Sequence, residues 1–501
     1  MDATLAARPA VSAGRRSTYS LRNPVVLRTE VLAGLVVALA CIPEAIAFSV
    51  IAGVDPRVGL FSSVTMAITV AIVGGRPAMI SAATAAVALV VAPVAHRYGV
   101  GYLVATIMLA GLIQLVLGLG GVAKLMRFIP RSVMVGFVNS LAILVFASQV
   151  PQLIGVPWLV YPITAVGIAL MVLVPRLTTA VPPPLVAVLL LTAAVLIFGW
   201  HVPDVGAQGA LPDHLPGIAL PHVPATLHTL AIIAPYACAA AIVGLLESLM
   251  TAKLVDEITD TSSNKTREAC GQGIANIVTA LFGGMGGCAV IGQTIMNVKV
   301  AGARTRLSTL MAGVFMLILV MVLGDLVGRI PMAALAAVMI MVSVKAFDWQ
   351  SISPGTLKAL PRSETVVMLV TVAGTLSTHN LAAGVSAGVL AAMVAFACRV
   401  AGHTMVCAEP YTLGDGTRTY RVHGELFFAS SNVLAHEFDY ANDPDDVVID
   451  LSRTAVWDAT SVATLDIIRR KYESKGKSVQ LVGLDERSAD RLHRLSGRLQ
   501  L

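Results

Sequence analysis

RPAMISAATAAV (residues 76–87) and GGMGGCAVIGQT (residues 283–294) are the two stretches on which the fold turns. Both lie among apolar segments, where helix is the default because hydrocarbon offers no partner to an unpaired backbone N–H or C=O. Each nonetheless opens with small, Gly-, Pro- or Ser-rich sequence that supports extended backbone better than helix. Each then turns into a helix too brief to span alone, since a crossing needs about 20 residues. Broken segments in corresponding places of two halves are the best sequence pointer to a transport site.

The halves are read from hydropathy. Apolar segments fall near 31–54, 58–75, 77–95, 101–122, 132–155, 159–174 and 184–200, and again near 230–252, 269–284, 287–300, 307–327, 330–346, 364–379 and 381–402. This predicts an α-helical polytopic membrane protein with fourteen transmembrane segments arranged seven plus seven. The repeats cover about 31–200 and 230–403 of a transmembrane domain spanning 30–405. Residues 201–229 between them contain no Lys or Arg, whereas the arm 1–29 carries Arg8, Arg15, Arg16, Arg22 and Arg28. The arm has no leading apolar core, so it reads as a cytoplasmic arm and not as a cleaved signal peptide. An odd number of crossings then puts 201–229 outside and the basic stretches 253–267, 299–306 and 345–362 inside; Arg97 and Arg329 are minor exceptions. The second half thus starts on the opposite side from the first, as an inverted repeat does.

Composition agrees. The chain is 56% hydrophobic and 13% charged, against about 25% charged for a soluble domain, so a lipid bilayer is its expected surrounding. The net charge of +6 is spread over short loops and tails, which excludes a nucleic-acid surface. Cys41, Cys238, Cys270, Cys288, Cys398 and Cys407 are scattered without a CxxC and read as small hydrophobes. No metal or cofactor is expected. Residues 406–501 are polar, with strand-like runs RVHGELFF (421–428), DVVIDLS (446–452) and SVQLVGL (478–484) separated by helix-like stretches near 430–440 and 460–475. That alternation predicts a small α/β domain, cytoplasmic after fourteen crossings.

Two carboxyls stand inside the apolar segments. Glu44 lies in CIPEAIAFSV (41–50), beside Pro43, and Glu247 in VGLLESLMTAKLVDE (243–257). Each opens its half, and an acidic side chain at the bilayer centre costs about 2.5–3.5 kcal/mol on insertion scales. Pro43 is expected to kink or locally unwind its helix.

IPEAIAF (42–48), AGVDPRVGLFSS (52–63), GLLESLMTAKLVDEITDT (244–261) and VVIDLSRTAVWDATS (447–461) together resemble the sulfate permease-like (SulP) anion transporters. The resemblance runs from about residue 28 to 495, and its last part resembles a STAS domain. It implies a uracil-permease-like fold of two inverted repeats, with segments 1–4 and 8–11 as a core that moves against a gate in an elevator-like motion. The third and tenth segments would be half-helices whose N-termini face each other at mid-membrane. It also implies a homodimer in an inner membrane.

Two facing helix starts bind an anion without a cationic side chain, through orphan N–H groups and the helix dipole. By position, the backbone of Ser81, Ala82, Ala83, Thr84 and Ala85 and that of Cys288, Ala289, Val290, Ile291 and Gly292 would supply the donors. Glu44 and Phe48 would complete the substrate set. Glu247, with Ser248 and Thr251, would carry ion coupling. In bicarbonate symporters of the family an aspartate at this place binds sodium, with a Thr one turn later. Here Ala289, Val290 and Ile291 stand where the tenth segment would offer a hydroxyl, so a proton is favoured over Na+. The expected substrate is a small inorganic or carboxylate anion: sulfate, bicarbonate or a dicarboxylate. A sodium-coupled bicarbonate symporter, an anion channel or sensor, and a nucleobase permease are the competing readings.

An enzyme is not expected. GVSAG (384–388) fits GxSxG but lies inside an apolar helix with no strand before it. GGMGG (283–287) lacks the Rossmann spacing and the P-loop Lys, and His436–Glu437 has no second His. In WDATS (457–461) the usual phosphoacceptor serine of STAS antagonists is Ala459, so a docking role is expected there instead of a phosphorylation switch.

Overall fold

The computed structural model describes residues 23–122, 129–177, 182–208, 217–218, 220–221, 223–322, 324–403, 405–408 and 416–496. The arginines at 8, 15, 16 and 22 lie outside the described residues. The chain divides into two compact units, 1–388 and 389–501.

Helix α1 (Pro24–Ala52) starts where the Asn23 side chain accepts the Val25 N–H and ends where Gly53 turns left-handed at φ 71°. It runs through Pro43 without a break. The expected unwinding is therefore absent: the helix continues through a buried Pro43, whose missing N–H removes one bond of the ladder without breaking it. Asp55-Pro56 opens α2 (Pro56–Val73) as the turn signal predicts. The first broken segment follows as β1 (Ser81–Ala82) and α3 (Ala85–Tyr98), then come α4 (Val100–Leu119), α5 (Arg131–Gln149), α6 (Val160–Leu177) and α7 (Pro183–Phe198).

The second half repeats the order. It runs α8 (Leu227–Thr259), α9 (Lys265–Leu281), β2 (Cys288–Ala289) and α10 (Ile291–Ile295), which continues as a π turn over Met296–Val300. After it come α11 (Arg306–Val322), α12 (Gly324–Gly328), α13 (Met332–Ala346), α14 (Pro354–Ala359), α15 (Arg362–Thr378) and α16 (Leu381–Ala401). Among the described residues, seven helices are at least 18 residues long and apolar enough to cross a membrane, and four shorter apolar helices accompany them.

The packing carries the internal symmetry. α4 packs on α9 as α11 packs on α2, and α1 packs on α11 as α8 packs on α4. Those elements and α3 make one group; α5, α6, α7, α13 and α15 make a second, in which α5 meets α15 and α13, and α6 meets α13 and α7. The groups touch chiefly where α1 meets α13 and α7. The small residues of GVSAG serve this packing: a Cβ on Gly384 would fall 1.8 Å from Thr375 Oγ1, and one on Gly388 2.0 Å from Thr371 Oγ1.

The other unit contains a four-stranded sheet in the order β3 (Met405–Ala408), β4 (Thr417–Leu426), β5 (Asp446–Val456), β6 (Ser478–Val482). β3 is antiparallel to β4 and the remaining pairs are parallel, joined through α17 (Phe428–Leu434) and α18 (Ala459–Glu473), with α19 (Glu486–Leu495) last. The sequence pattern predicts β4, β5, β6 and α18; β3 and α19 are additional, because one is mostly exposed and the other strongly polar. Asp458 caps α18, accepting the Ser461 N–H at 2.9 Å and hydroxyl at 2.7 Å, and Phe428 N–H at 2.7 Å. The exposed first residue of that helix is Ala459. Burial and the nearby Tyr420 push the Tyr440 phenol up to about 12.

Candidate functional site

The two broken segments meet. β1 and β2 pair antiparallel, Ser81 opposite Ala289 and Ala82 opposite Cys288, and Val290 N–H extends the pair to Ile80 O at 2.8 Å. Extended backbone inside a helical unit exposes peptide groups that only specific side chains can pair. Ala83 N–H goes to Ser63 Oγ at 3.1 Å, Ala289 N–H to Ser248 Oγ at 3.1 Å, and Ile80 N–H to Thr294 Oγ1 at 3.0 Å. Asn276 clamps Gly287 twice, accepting its N–H at 2.9 Å and donating to its carbonyl at 3.1 Å, while Gln114 Oε1 takes the same amide at 2.9 Å. Asn297 holds Ala78 O at 2.8 Å.

Much of this scaffold was not singled out in the sequence, although it carries a signal. Glu268, Gln272 and Asn276 stand four residues apart on one face of α9, with Thr279 beyond them, and all four are buried. Glu268 accepts the N–H groups of Gly75 and Arg76 at 2.7 and 2.9 Å and the Gln272 amide at 2.8 Å; Gln272 also donates to Ser81 Oγ at 2.7 Å. A polar stripe with period four in an apolar helix marks a buried network. Replacing Asn276 by Leu leaves two backbone groups of Gly287 without partners. At about 1–3 kcal/mol for each buried orphan, the expected result is a clear drop in the detergent melting temperature together with weaker anion binding. A melting curve unchanged from the parent protein would refute that bracing role.

The pairing narrows the expected donor set. Ser81, Ala82, Cys288 and Ala289 belong to the strand pair, and the N–H groups of Ala83, Ala289 and Val290 are spent on protein acceptors. The first-turn N–H groups of Ala85 and Ala86 on α3, and of Ile291, Gly292 and Gln293 on α10, find no acceptor among the described residues. Thr84 caps α3, its hydroxyl accepting Val87 N–H at 3.4 Å. A Cβ on Gly292 would meet no atom within 4 Å, so open space lies against the first turn of α10.

The two carboxyls take different partners on the second broken segment. Glu247, 6% exposed, accepts the Cys288 thiol through Oε2 at 2.9 Å. Glu44, 9% exposed, lies beside the side chain of Gln293, another residue not singled out from sequence. Phe48 is buried one turn further along α1. Ser248 is occupied with β2, and the Thr251 hydroxyl donates to the Glu247 backbone carbonyl at 2.7 Å. Among the described residues no group of three or more His, Cys, Asp or Glu could hold a metal ion.

The Sulfate permease family profile matches residues 27–166 and 158–371, and that of the STAS domain residues 412–497. The putative sulfate transporter YbaR of Bacillus subtilis (strain 168) is 49% identical over 463 residues, covering 92% of this chain and 95% of its own. The bicarbonate transporter BicA of Picosynechococcus sp. (strain ATCC 27264 / PCC 7002 / PR-6) is 24% identical over 522 residues, covering 94% and 91%. Among solved structures, the murine Solute Carrier 26 family member A9 anion transporter in its inward-facing state shares the fold. Its TM-score is 0.79 at 17% identity, covering 93% of this chain and 87% of that one.

Proposed function

The chain belongs to the sulfate permease family, and on that premise we propose that it is a proton-coupled symporter of a small oxyanion or carboxylate. It is a multi-pass membrane protein of a family of sulfate and bicarbonate transporters. One observation carries the coupling: a buried carboxyl, Glu247, is hydrogen bonded to the strand that positions two helix starts with free N–H donors. A carboxylate there repels the anion that the helix starts attract. Protonation removes the repulsion, so anion and proton travel together.

Sodium coupling fits less well. A sodium ion needs about six oxygens, as hard cations generally do. Thr251 donates to its own helix and the tenth segment presents Ala289, Val290 and Ile291. The two packing groups suit a core that slides against a gate, with α1 at their boundary. Arg76, Lys265, Arg267, Arg304 and Arg306 gather where α2 and α8 end and α9 and α11 begin. There Arg76 and Lys265 bind Asp256 at 2.9 and 2.7 Å, and Arg306 and Arg267 bind the last carbonyls of α2. By the positive-inside rule this end is cytoplasmic, in an inner membrane.

The test is uptake of radiolabelled sulfate, bicarbonate and succinate into proteoliposomes with the membrane potential clamped. A one-unit inward proton gradient is expected to support about tenfold accumulation of the transported anion, since one pH unit is worth about 1.36 kcal/mol. Uptake that ignores the pH gradient and follows a sodium gradient would reject the reading.

A further inference from the structure

Resting on the proton-symport reading, we infer that Cys288 is a positioning residue whose thiol relays the protonation state of Glu247 to the hydroxyl of Thr84 at the start of α3. Thr84 Oγ1 lies 3.1 Å from Cys288 Sγ, and that thiol donates to Glu247 Oε2 at 2.9 Å. The three side chains come from α3, β2 and α8, and they are 2%, 0% and 6% exposed, so water does not compete for these bonds. Cys288 is the titratable side chain set against Glu247. Among the described residues, no charged side chain on α3, α4, α9 or α10 joins them.

Donor counting makes the chain directional. An ionised carboxylate only accepts, so the thiol proton points at Glu247 and the sulfur accepts the Thr84 proton. The Thr84 hydroxyl is then turned away from the helix start it caps. A protonated Glu247 can donate to the sulfur instead. The thiol proton then turns to Thr84 Oγ1, whose second lone pair already accepts Val87 N–H. The hydroxyl proton of Thr84 is released, beside the free N–H groups of Ala85 and Ala86. One proton gained at Glu247 therefore adds one donor at the helix start, and nothing else changes but three rotations. The sign agrees with symport: the extra donor exists only in the protonated state.

The test is sulfate exchange in proteoliposomes with equal pH on both sides, because sulfate itself does not titrate there; bicarbonate at matched anion concentration replaces it if sulfate does not exchange. A hydrogen bond to a charged group is worth about a tenfold change in affinity. In the parent protein KM is expected to fall as the pH drops, the relay adding about tenfold to the effect of the carboxyl's own charge. Cys288→Ala is expected to keep only the charge effect, so that its fall is about tenfold smaller, and Cys288→Ser to restore the full fall. Thr84→Val should match Cys288→Ala, and Thr84→Ser the parent; this second pair decides the matter if Cys288→Ala does not insert. A purely structural role shifts KM equally at every pH. Retention of the full parental fall in Cys288→Ala or Thr84→Val overturns the relay, as does the absence of any fall in the parent protein. The symport reading fails elsewhere, in Glu247→Gln under an imposed gradient.

Discussion

Glu247→Gln abolishes proton-driven accumulation while anion exchange continues. The amide keeps the volume and one acceptor of the carboxyl, so the Cys288 thiol keeps its bond and β2 stays in place. What disappears is the charge that alternates. With no carboxylate to repel the anion, loading no longer requires a proton. Steady-state accumulation under a one-unit pH gradient should fall from about tenfold to none, whereas tracer exchange at equal pH on both sides persists. Because nothing in the fold depends on the negative charge, expression and melting temperature should stay close to those of the parent protein. Normal accumulation in Glu247→Gln would remove this residue from coupling.

Gly287→Ala is the second large effect, and it acts through shape. A Cβ at Gly287 would fall 2.0 Å from the Ala82 carbonyl oxygen and 2.7 Å from its carbon. Both are backbone atoms of the opposing strand, so no side chain can rotate away; the strands must separate. Separation pulls Ala82 from Cys288 and disturbs the Asn276 clamp on Gly287. Both helix starts are aimed by that strand pair. A shift of about 1 Å in a site of this kind costs on the order of a hundredfold in function, so uptake of the transported anion should drop by about that factor in protein that still reaches the membrane. Gly355→Ala on α14 is the control, because a Cβ there meets no atom within 4 Å and it lies outside the strand pair and both helix starts. If Gly287→Ala transports as the parent does, the close crossing has no functional weight.

The architecture was readable because hydrocarbon imposes one rule on every peptide group. The helical membrane fold and the two breaks follow from composition and small-residue runs, and the pairing of β1 with β2 brings RPAMISAATAAV and GGMGGCAVIGQT together. At Pro43 the helix does not unwind. A proline removes one bond of its own helix, but the surrounding structure decides whether the helix yields. The donor set was offset for a similar reason. Position along the chain places the helix starts near residues 81–85 and 288–292, whereas strand pairing consumes several of those groups and passes the free N–H role to Ala85, Ala86 and the first turn of α10. Gln293, Asn276 and Gln272 were missed because a single amide in an apolar helix looks like an ordinary polar interruption until its partner, far away in sequence, is known.

The sequence by itself determined that this chain is a multi-pass membrane protein and that each half carries one carboxyl and one break. Those properties depend on local composition and on a solvent that tolerates few alternatives. Only the tertiary structure decided what the carboxyls meet, since Glu247 accepts the Cys288 thiol across 41 residues and Glu44 lies beside Gln293 from the other half of the chain. Hydrogen bonds are short-ranged and directional, so the identity of each partner is settled by how the halves cross, which no local pattern encodes.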